Sequence, residues 1–486
     1  MKISENLYFI ILSLITLPAV IYSYLNVVFN DDIHIYFGVA RAASFFGSFP
    51  ANVDIAWETR PIGNRLVYYL LYKLCEPLYG NEYVFQVGTK AVIAVAVLLI
   101  SWYFAVQVCK HLKELNVYAV FLLTTVSILA IHIMYIGETE WLTVIIAVFT
   151  IALLLSDNKY AHGLAGSLLI LIVLMKLVTV IFIPLLIIAW LLIEGGWYRP
   201  TKIRRVVFGL ETALLAFVVA WALWFKNLVP DLILTLGLHD PSGIEITTRL
   251  YQLLIQSMAV LWFMPILVAG LISGVFVFID FIHRNARFQQ LLFIIMWLCP
   301  IISVLIQSEF FLYHYSALLI PSIISIILFI SKSYAKYQVI AFTIIIVFTL
   351  AIFGATCSIW TDTHEHIWDN QISNASIIKE KFNISSDPVL YLDTGTTAYF
   401  LGAPSACRYT YPLVIRRGYG LGLSNTTAYI NAKECIMNYN GEYIVSLDGV
   451  VGDPDINRKI VISYQKVYSG SAWSNKDRTG DIYQRL

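Results

Sequence analysis

Long apolar runs are the feature that most limits what this chain can fold into. Leu7–Phe29, Ala91–Cys109, Val117–Ile136, Trp141–Ser156 and Val206–Phe225 lie in the first half, and Ile255–Ile279, Leu291–Ile306, Leu312–Ile330 and Val339–Ser358 in the second. Each approaches the roughly 20 residues that a helix needs to cross hydrocarbon. Across 486 residues 59% are hydrophobic and 13% charged, whereas a soluble chain is about 45–50% apolar and about 25% charged. A soluble enzyme is excluded. With only 15 Pro, 26 Gly and 6 Cys, so are disordered, collagenous and disulfide-stapled chains. A net charge of +1 supplies no field for nucleic acid, and no basic patch of that kind is present. The composition leaves a polytopic protein embedded in a lipid bilayer.

Ala161–Ile193 is about 33 residues long, too long for one ordinary span. Lys176 and Pro184 inside it favour a broken pair of short helices. Charge parity agrees with the break. Two short helices put Lys110, Lys113, Lys159, Arg199, Lys202, Arg204, Arg205, Arg284, Arg287, Lys332 and Lys336 on the side of Lys2, as the positive-inside rule requires. One long helix would split these basic loops between the two faces. The expectation is about eleven spans, with the N-terminus cytoplasmic and the C-terminus outside. The first run is too long for a removable signal and lacks a small-residue cleavage pattern.

Two regions stand outside this pattern. The first, residues 30–85, reads as two amphipathic helices on the outer leaflet: Ile33, Tyr36, Phe37, Ala40 and Ser44 recur at helical spacing behind Asn30 or Asp31 as N-cap. Ile62, Leu66, Tyr69, Leu70 and Lys73 do the same behind Pro61. The second, 359–486, has strand-length runs at Val389–Leu392, Tyr443–Leu447 and Lys459–Tyr464, with a helical stretch near Thr427–Tyr439. The fold class expected is mainly α: a transmembrane domain, 1–358, with a small extracytoplasmic α/β domain, 359–486. On the outer side Cys407 and Cys435 can pair, and Asn374, Asn383 and Asn425 begin N-x-S/T patterns. No internal repeat is apparent.

Charged side chains inside or beside the apolar runs mark the chemistry. Asp31 and Asp32 follow the first span directly, at the outer surface, where a carboxylate suits proton abstraction from a hydroxyl or metal binding; capping the next helix is the plain alternative. Glu138 and Glu140 fall in the next outward loop, where a solvated turn would also explain them. Lys176 lies within apolar sequence and needs a partner: a lipid-linked phosphate, an acidic side chain of the protein, or water reached by snorkelling. His314 stands at an outward helix end between Tyr313 and Tyr315, which an interfacial aromatic belt explains equally well.

These residues resemble a known superfamily. The stretch NDDIHIYFGVARAASFFGSFPANVDIAWETRPIGNRLVYYLL is similar to the first extracytoplasmic loop of GT-C glycosyltransferases, where an acidic pair after the first span precedes two juxtamembrane helices. GLAGSLLILIVLMKLVTVIFIPLLIIAWLLI resembles their Gly-rich, Lys-containing, Pro-ending segment, and FLYHYSALLIP their late aromatic segment. The resemblance implies an inverting sugar transfer from a dolichyl- or undecaprenyl-type phosphate donor to an extracytoplasmic glycan, glycolipid or protein, in cell-envelope glycan biosynthesis. It makes Asp31 or Asp32 the general base, with Asp31, the more exposed, preferred. Glu138, Glu140 and Glu58 become acids near the acceptor or a metal, and Lys176, His314, Arg60 and Arg65 ligands of the donor phosphate. The superfamily commonly carries Arg where this chain has His314, an imidazole largely neutral near pH 7.

Other classes fit less well. A lipid or glycolipid transporter would place paired polar residues at mid-membrane, whereas these candidates gather at one face. VLYLDTGTT places Asp393, Thr394 and Gly395 like an aspartic-protease motif, but the required second copy is missing. Arg408–Arg417 combines aromatic and basic residues suited to a glycan, or is an ordinary strand and loop. No cofactor is fixed: carboxylates on two loops suit Mg²⁺ or Mn²⁺, yet no spacing is a metal signature.

Overall fold

The computed structural model describes residues 5–27, 29, 31–45, 62–79, 82–131, 136–195, 200–224, 246–307, 312–332, 335–384, 387–392, 399, 401–407, 413–447, 452–471 and 479–486. In chain order the helices begin with α1 (Glu5–Asn26), α2 (Asp31–Phe45), α3 (Ile62–Cys75), α4 (Glu82–His111), α5 (Val117–Leu129) and α6 (Thr139–Leu155). Next come α7 (Lys159–Met175), α8 (Phe182–Glu194), α9 (Pro200–Trp224), α10 (Ile246–Phe263), α11 (Pro265–His283) and α12 (Arg287–Gln307). The last are α13 (Leu319–Ile330), α14 (Ala335–Phe382), α15 (Leu413–Gly420), α16 (Thr427–Asn438) and α17 (Pro454–Ser463). The strands are β1 (Leu390–Leu392), β2 (Tyr443–Leu447), β3 (Tyr464–Ser471) and β4 (Thr479–Arg485). Two compact units result: Met1–Val27, Gln86–Phe217 and Ile244–Trp360 form one, and Val28–Phe85, Val218–Gly243 and Thr361–Leu486 the other.

The first unit is a helical membrane body. Among the described residues six helices are long and apolar enough to cross a bilayer, and five shorter apolar helices accompany them. Leu14, Ile15, Leu99, Leu291, Ile302 and Ile344 all lie exposed on these helices, where only hydrocarbon favours them. The protein is therefore an integral membrane protein. The segment Ala161–Ile193 breaks at Lys176, whose backbone is extended (φ −156°, ψ 125°). A 3₁₀ turn, Leu177–Ile181, leads into α8 with Pro184 in its first turn. Thr179 Oγ1 donates to the Ile172 carbonyl at 2.6 Å and to that of Lys176, so carbonyls released by the break stay bonded. Gly166 has a packing reason: a Cβ there would stand 2.0 Å from the Val206 carbonyl oxygen, so α7 and α9 touch backbone to backbone.

Ile255–Ile279 is not one span. Pro265 opens α11 at its first position, and Met264 before it (φ −127°, ψ 76°) leaves the helical region, because proline's ring disfavours a helical residue ahead of it. Lys90 Nζ donates to the Leu25 carbonyl at 2.7 Å and to that of Val27, binding the C-terminal end of α1.

The second unit joins the first-loop helices to the C-terminal segment. Both loop helices form where expected, α2 from Asp31 and α3 from Ile62. Yet α2 is no surface helix with one apolar stripe, since the consecutive residues Ile33, His34, Ile35, Tyr36 and Phe37 are all buried. Aromatic rings enclose it: Tyr36 lies 4.8 Å from Tyr68, Phe37 5.2 Å from Phe85 and His34 4.9 Å from Tyr399. The sheet has order β1-β2-β4-β3, with β1 and β2 parallel and the other pairs antiparallel. Val389–Leu392 and Tyr443–Leu447 are strands as expected, and Thr427–Tyr439 contains α16.

Of Lys459–Tyr464, expected as a strand, Lys459–Ser463 is instead the end of helix α17 and only Tyr464 lies in a strand, as the first residue of β3. Asp453 caps that helix by accepting from the Asp455 and Ile456 backbone N–H groups at 2.9 and 3.4 Å, Pro454 takes the first position, and Ile456 and Ile460 bury one face. Leu413–Arg417 likewise begins a helix, not a strand, while 408–412 and Asp393–Gly395 lie outside the described residues.

Cys407 and Cys435 are disulfide-bonded across 28 residues, with Cα atoms 5.9 Å apart. Closing a loop of that length stabilises by about 3–4 kcal/mol. Replacing both cysteines by serine should therefore lower the denaturation free energy of the second unit by about that amount, and reductant should reproduce the loss in the wild type only. A pH effect follows from Asp453. Burial pushes its carboxyl up, but the Tyr429 hydroxyl at 2.7 Å, Lys433 at 3.0 Å and the two backbone N–H groups outweigh burial and hold it below the carboxylate range. Its stabilisation is present above the unfolded value of about 3.9 and is lost as pH falls through the lower folded value. Denaturation at a series of pH values should show the wild type losing more stability below about pH 5 than Asp453→Asn does.

Candidate functional site

Three segments of the membrane body meet at one buried carboxylate. Gly137 (φ 86°) turns the chain into α6, and Glu138 takes the N-cap position in extended conformation, its carbonyl accepting from Leu142 N–H at 3.0 Å. Glu140 follows in the first helical turn, where the positive end of the helix dipole favours an anion. Both glutamates are buried, at 0% and 4% exposure. That excludes a solvated turn. The break between α7 and α8 delivers Lys176, whose Nζ bonds Glu140 Oε1. Gln307, the last residue of α12, accepts from the same Nζ at 2.5 Å and donates its own amide to the Ser303 carbonyl at 3.2 Å. The 3₁₀ segment Leu312–Leu318 places buried His314 Nε2 3.6 Å from Glu140 Oε1. Tyr313 meets His314 edge to face, ring centres 4.6 Å apart, with the Lys176 ammonium 6.0 Å from the Tyr313 ring centre.

Glu140 Oε1 is thus approached by an ammonium and an imidazole, while Oε2 meets no hydrogen-bond donor among the described residues. Of the three partners open to Lys176, the protein supplies an acid; with its side chain 13% exposed, the lysine does not snorkel. Such a site can exchange a partner, because an incoming oxyanion can share the ammonium that the carboxylate now holds.

The remaining expected residues lie elsewhere. Asp31 and Asp32 are the first two residues of α2, at the N-terminal end of its dipole, and their side chains lie outside the described residues, as do Glu58 and Arg60. Arg65 is buried on α3 in the second unit. Among the described residues no group of three His, Cys, Asp or Glu is placed to hold a metal ion. Sequence reasoning missed Gln307. The signal was present, as a lone amide closing the apolar run Leu291–Ile306.

The chain shares its overall fold with a solved polytopic membrane protein. Two solved structures carry that comparison, both of ArnT from Cupriavidus metallidurans: the apo state, at TM-score 0.55 and 14% identity, and the state bound to undecaprenyl phosphate, at 0.56 and 13%. Each likeness covers 99% of this chain and 98% of the other. No protein-family model and no curated protein matches the sequence.

Removing one partner of a buried ion pair costs about 3–5 kcal/mol, because the other charge is left uncompensated. Lys176→Met should therefore destabilise the membrane body strongly, and adding Glu140→Gln should restore part of the loss. Denaturation in detergent measures the coupling, and additive losses in the double variant would contradict it.

Proposed function

We propose that the protein is an inverting glycosyltransferase, a hexosyl- or pentosyltransferase, that moves a sugar from a dolichyl- or undecaprenyl-type phosphate to an extracytoplasmic glycan, glycolipid or protein acceptor. The observation that carries this reading is Lys176, a partly buried cation at a helix break in apolar sequence, in a fold whose solved example is bound to undecaprenyl phosphate. Asp31 or Asp32 takes the proton of the acceptor hydroxyl as its oxygen attacks the anomeric carbon. The phosphate leaves from the opposite side with the bonding electron pair. A single displacement of this kind inverts the anomeric centre and needs no covalent enzyme intermediate.

Cations stabilise the charge growing on the leaving phosphate, and Lys176, His314, Arg60 and Arg65 are assigned to it. His314 makes the weaker contribution, as an imidazole largely uncharged near neutral pH. Glu138, Glu140 and Glu58 serve the acceptor side, and Glu140 Oε2 suits a substrate hydroxyl. The same proposal keeps 1–358 as the transmembrane domain, with its catalytic loop at 30–85, and 359–486 as an outer domain. It sets the N-terminus in the cytoplasm and the active site and C-terminal domain outside, as the basic loops require.

Purified protein in detergent, given a panel of radiolabelled polyprenyl-phosphate sugars and acceptors, tests the reading. Transfer by the wild type should fall about 100- to 10,000-fold in Asp31→Asn or Asp32→Asn, the range that a lost base costs, with thermal stability nearly intact. Loss of folding in both variants would support helix capping in place of catalysis.

A further inference from the structure

A second cationic site lies in the outer unit, apart from the residues assigned to the donor. Gly38, Arg41, Ala42 and Phe45 form one stripe of α2, and with the segment Gly402–Ser405 they line a small cleft. Arg41 is half-buried in it. Its guanidinium lies 4.3 Å from the centre of the Tyr79 ring, and Nη1 donates to Tyr79 Oη at 2.9 Å. Tyr79 is itself fixed, donating to the Tyr399 carbonyl at 2.8 Å. Gly402 completes the seat: its φ of +76° favours glycine, and a Cβ there would stand 2.2 Å from Arg41 Nη1.

The seat holds a cation without an anion. No carboxylate of the described residues pairs with Arg41. Glu76, whose field reaches the Tyr72 phenol together with that of Arg41, is engaged by Lys73 at 2.7 Å and by the Ser44 hydroxyl at 3.0 Å. A guanidinium has five N–H donors, and the contacts above use one. The stacked, hydrogen-bonded fork is already oriented, so a planar or tetrahedral oxyanion can meet it with two parallel bonds at little entropic cost.

We propose that Arg41 binds an oxyanion, a phosphate or carboxylate, in this cleft, and that the group is carried by the acceptor. The second half rests on the transferase reading above. Asp31 and Arg41 stand ten residues apart on one helix, about 15 Å at 1.5 Å per residue. The acceptor class selected is therefore an anionic glycan or glycolipid whose charged group lies about that far from the hydroxyl that receives the sugar.

Thermal unfolding of the full chain in neutral detergent, with inorganic phosphate or acetate replacing chloride at constant ionic strength, tests the site without turnover. The wild type should show a saturable rise in midpoint with phosphate. Arg41→Gln should lose it, with affinity falling about tenfold or more, and Arg41→Lys should retain a weaker response, since it keeps the charge without the fork. Equal responses in wild type and Arg41→Gln would overturn the site. Repeating the titration in phosphatidylcholine nanodiscs with and without phosphatidylglycerol separates the sources: loss of the phosphate response to phosphatidylglycerol makes the ligand a lipid headgroup and overturns the acceptor assignment. An Arg41-dependent phosphate response in a protein that transfers no sugar would leave the site standing and sink the transferase reading alone.

Discussion

Hydrocarbon offers an ammonium group no bond, and a lysine at the centre of a bilayer costs about 2.5–3.5 kcal/mol even on translocon-insertion scales. The geometry of the membrane body around Lys176 answers that constraint. The α7–α8 break brings the side chain to Glu140, the first turn of α6 supplies the carboxylate, and the end of α12 supplies Gln307. Helix termini are where a membrane protein can afford polar chemistry, because irregular backbone there is bonded by neighbours such as Thr179. A buried pair of this kind adds little net stability. It does hold a cation in a fixed place, partly neutralised by Glu140.

The second unit places its acids differently. Asp31 and Asp32 begin a helix that is walled on several sides by aromatic rings from α3, Phe85 and Tyr399. Such rings carry large buried area with few rotatable bonds, which orders the helix by packing. Within the first unit, Lys90 binds the carbonyls at the end of α1.

How much was legible follows from physics with short range or strong cost. The apolar runs, the break at Lys176 and the two loop helices were legible, because hydrocarbon length and helical spacing are local properties. The disulfide was open to proposal from two cysteines on the outer side. The segment Lys459–Tyr464 was misread, because its β-branched and aromatic residues favour a strand while the cap that makes it helical, Asp453 with Pro454, lies several residues upstream. Burial of α2 on several faces was not legible, since residues from 62 to 399 enclose it. Nor was the partner of Lys176. Glu140 and Gln307 stand 36 and 131 residues away, and no spacing rule connects them.

The account turns on Lys176 exchanging a carboxylate for a lipid phosphate. Native mass spectrometry of the detergent-purified protein titrated with undecaprenyl phosphate tests that most directly, comparing the wild type with folded Lys176→Ala and with Glu140→Gln. The account predicts weakened lipid binding in Lys176→Ala and binding retained or tightened in Glu140→Gln, where the lysine no longer has a competing carboxylate. Lipid binding unchanged in Lys176→Ala would contradict it and leave the pair a purely structural bridge.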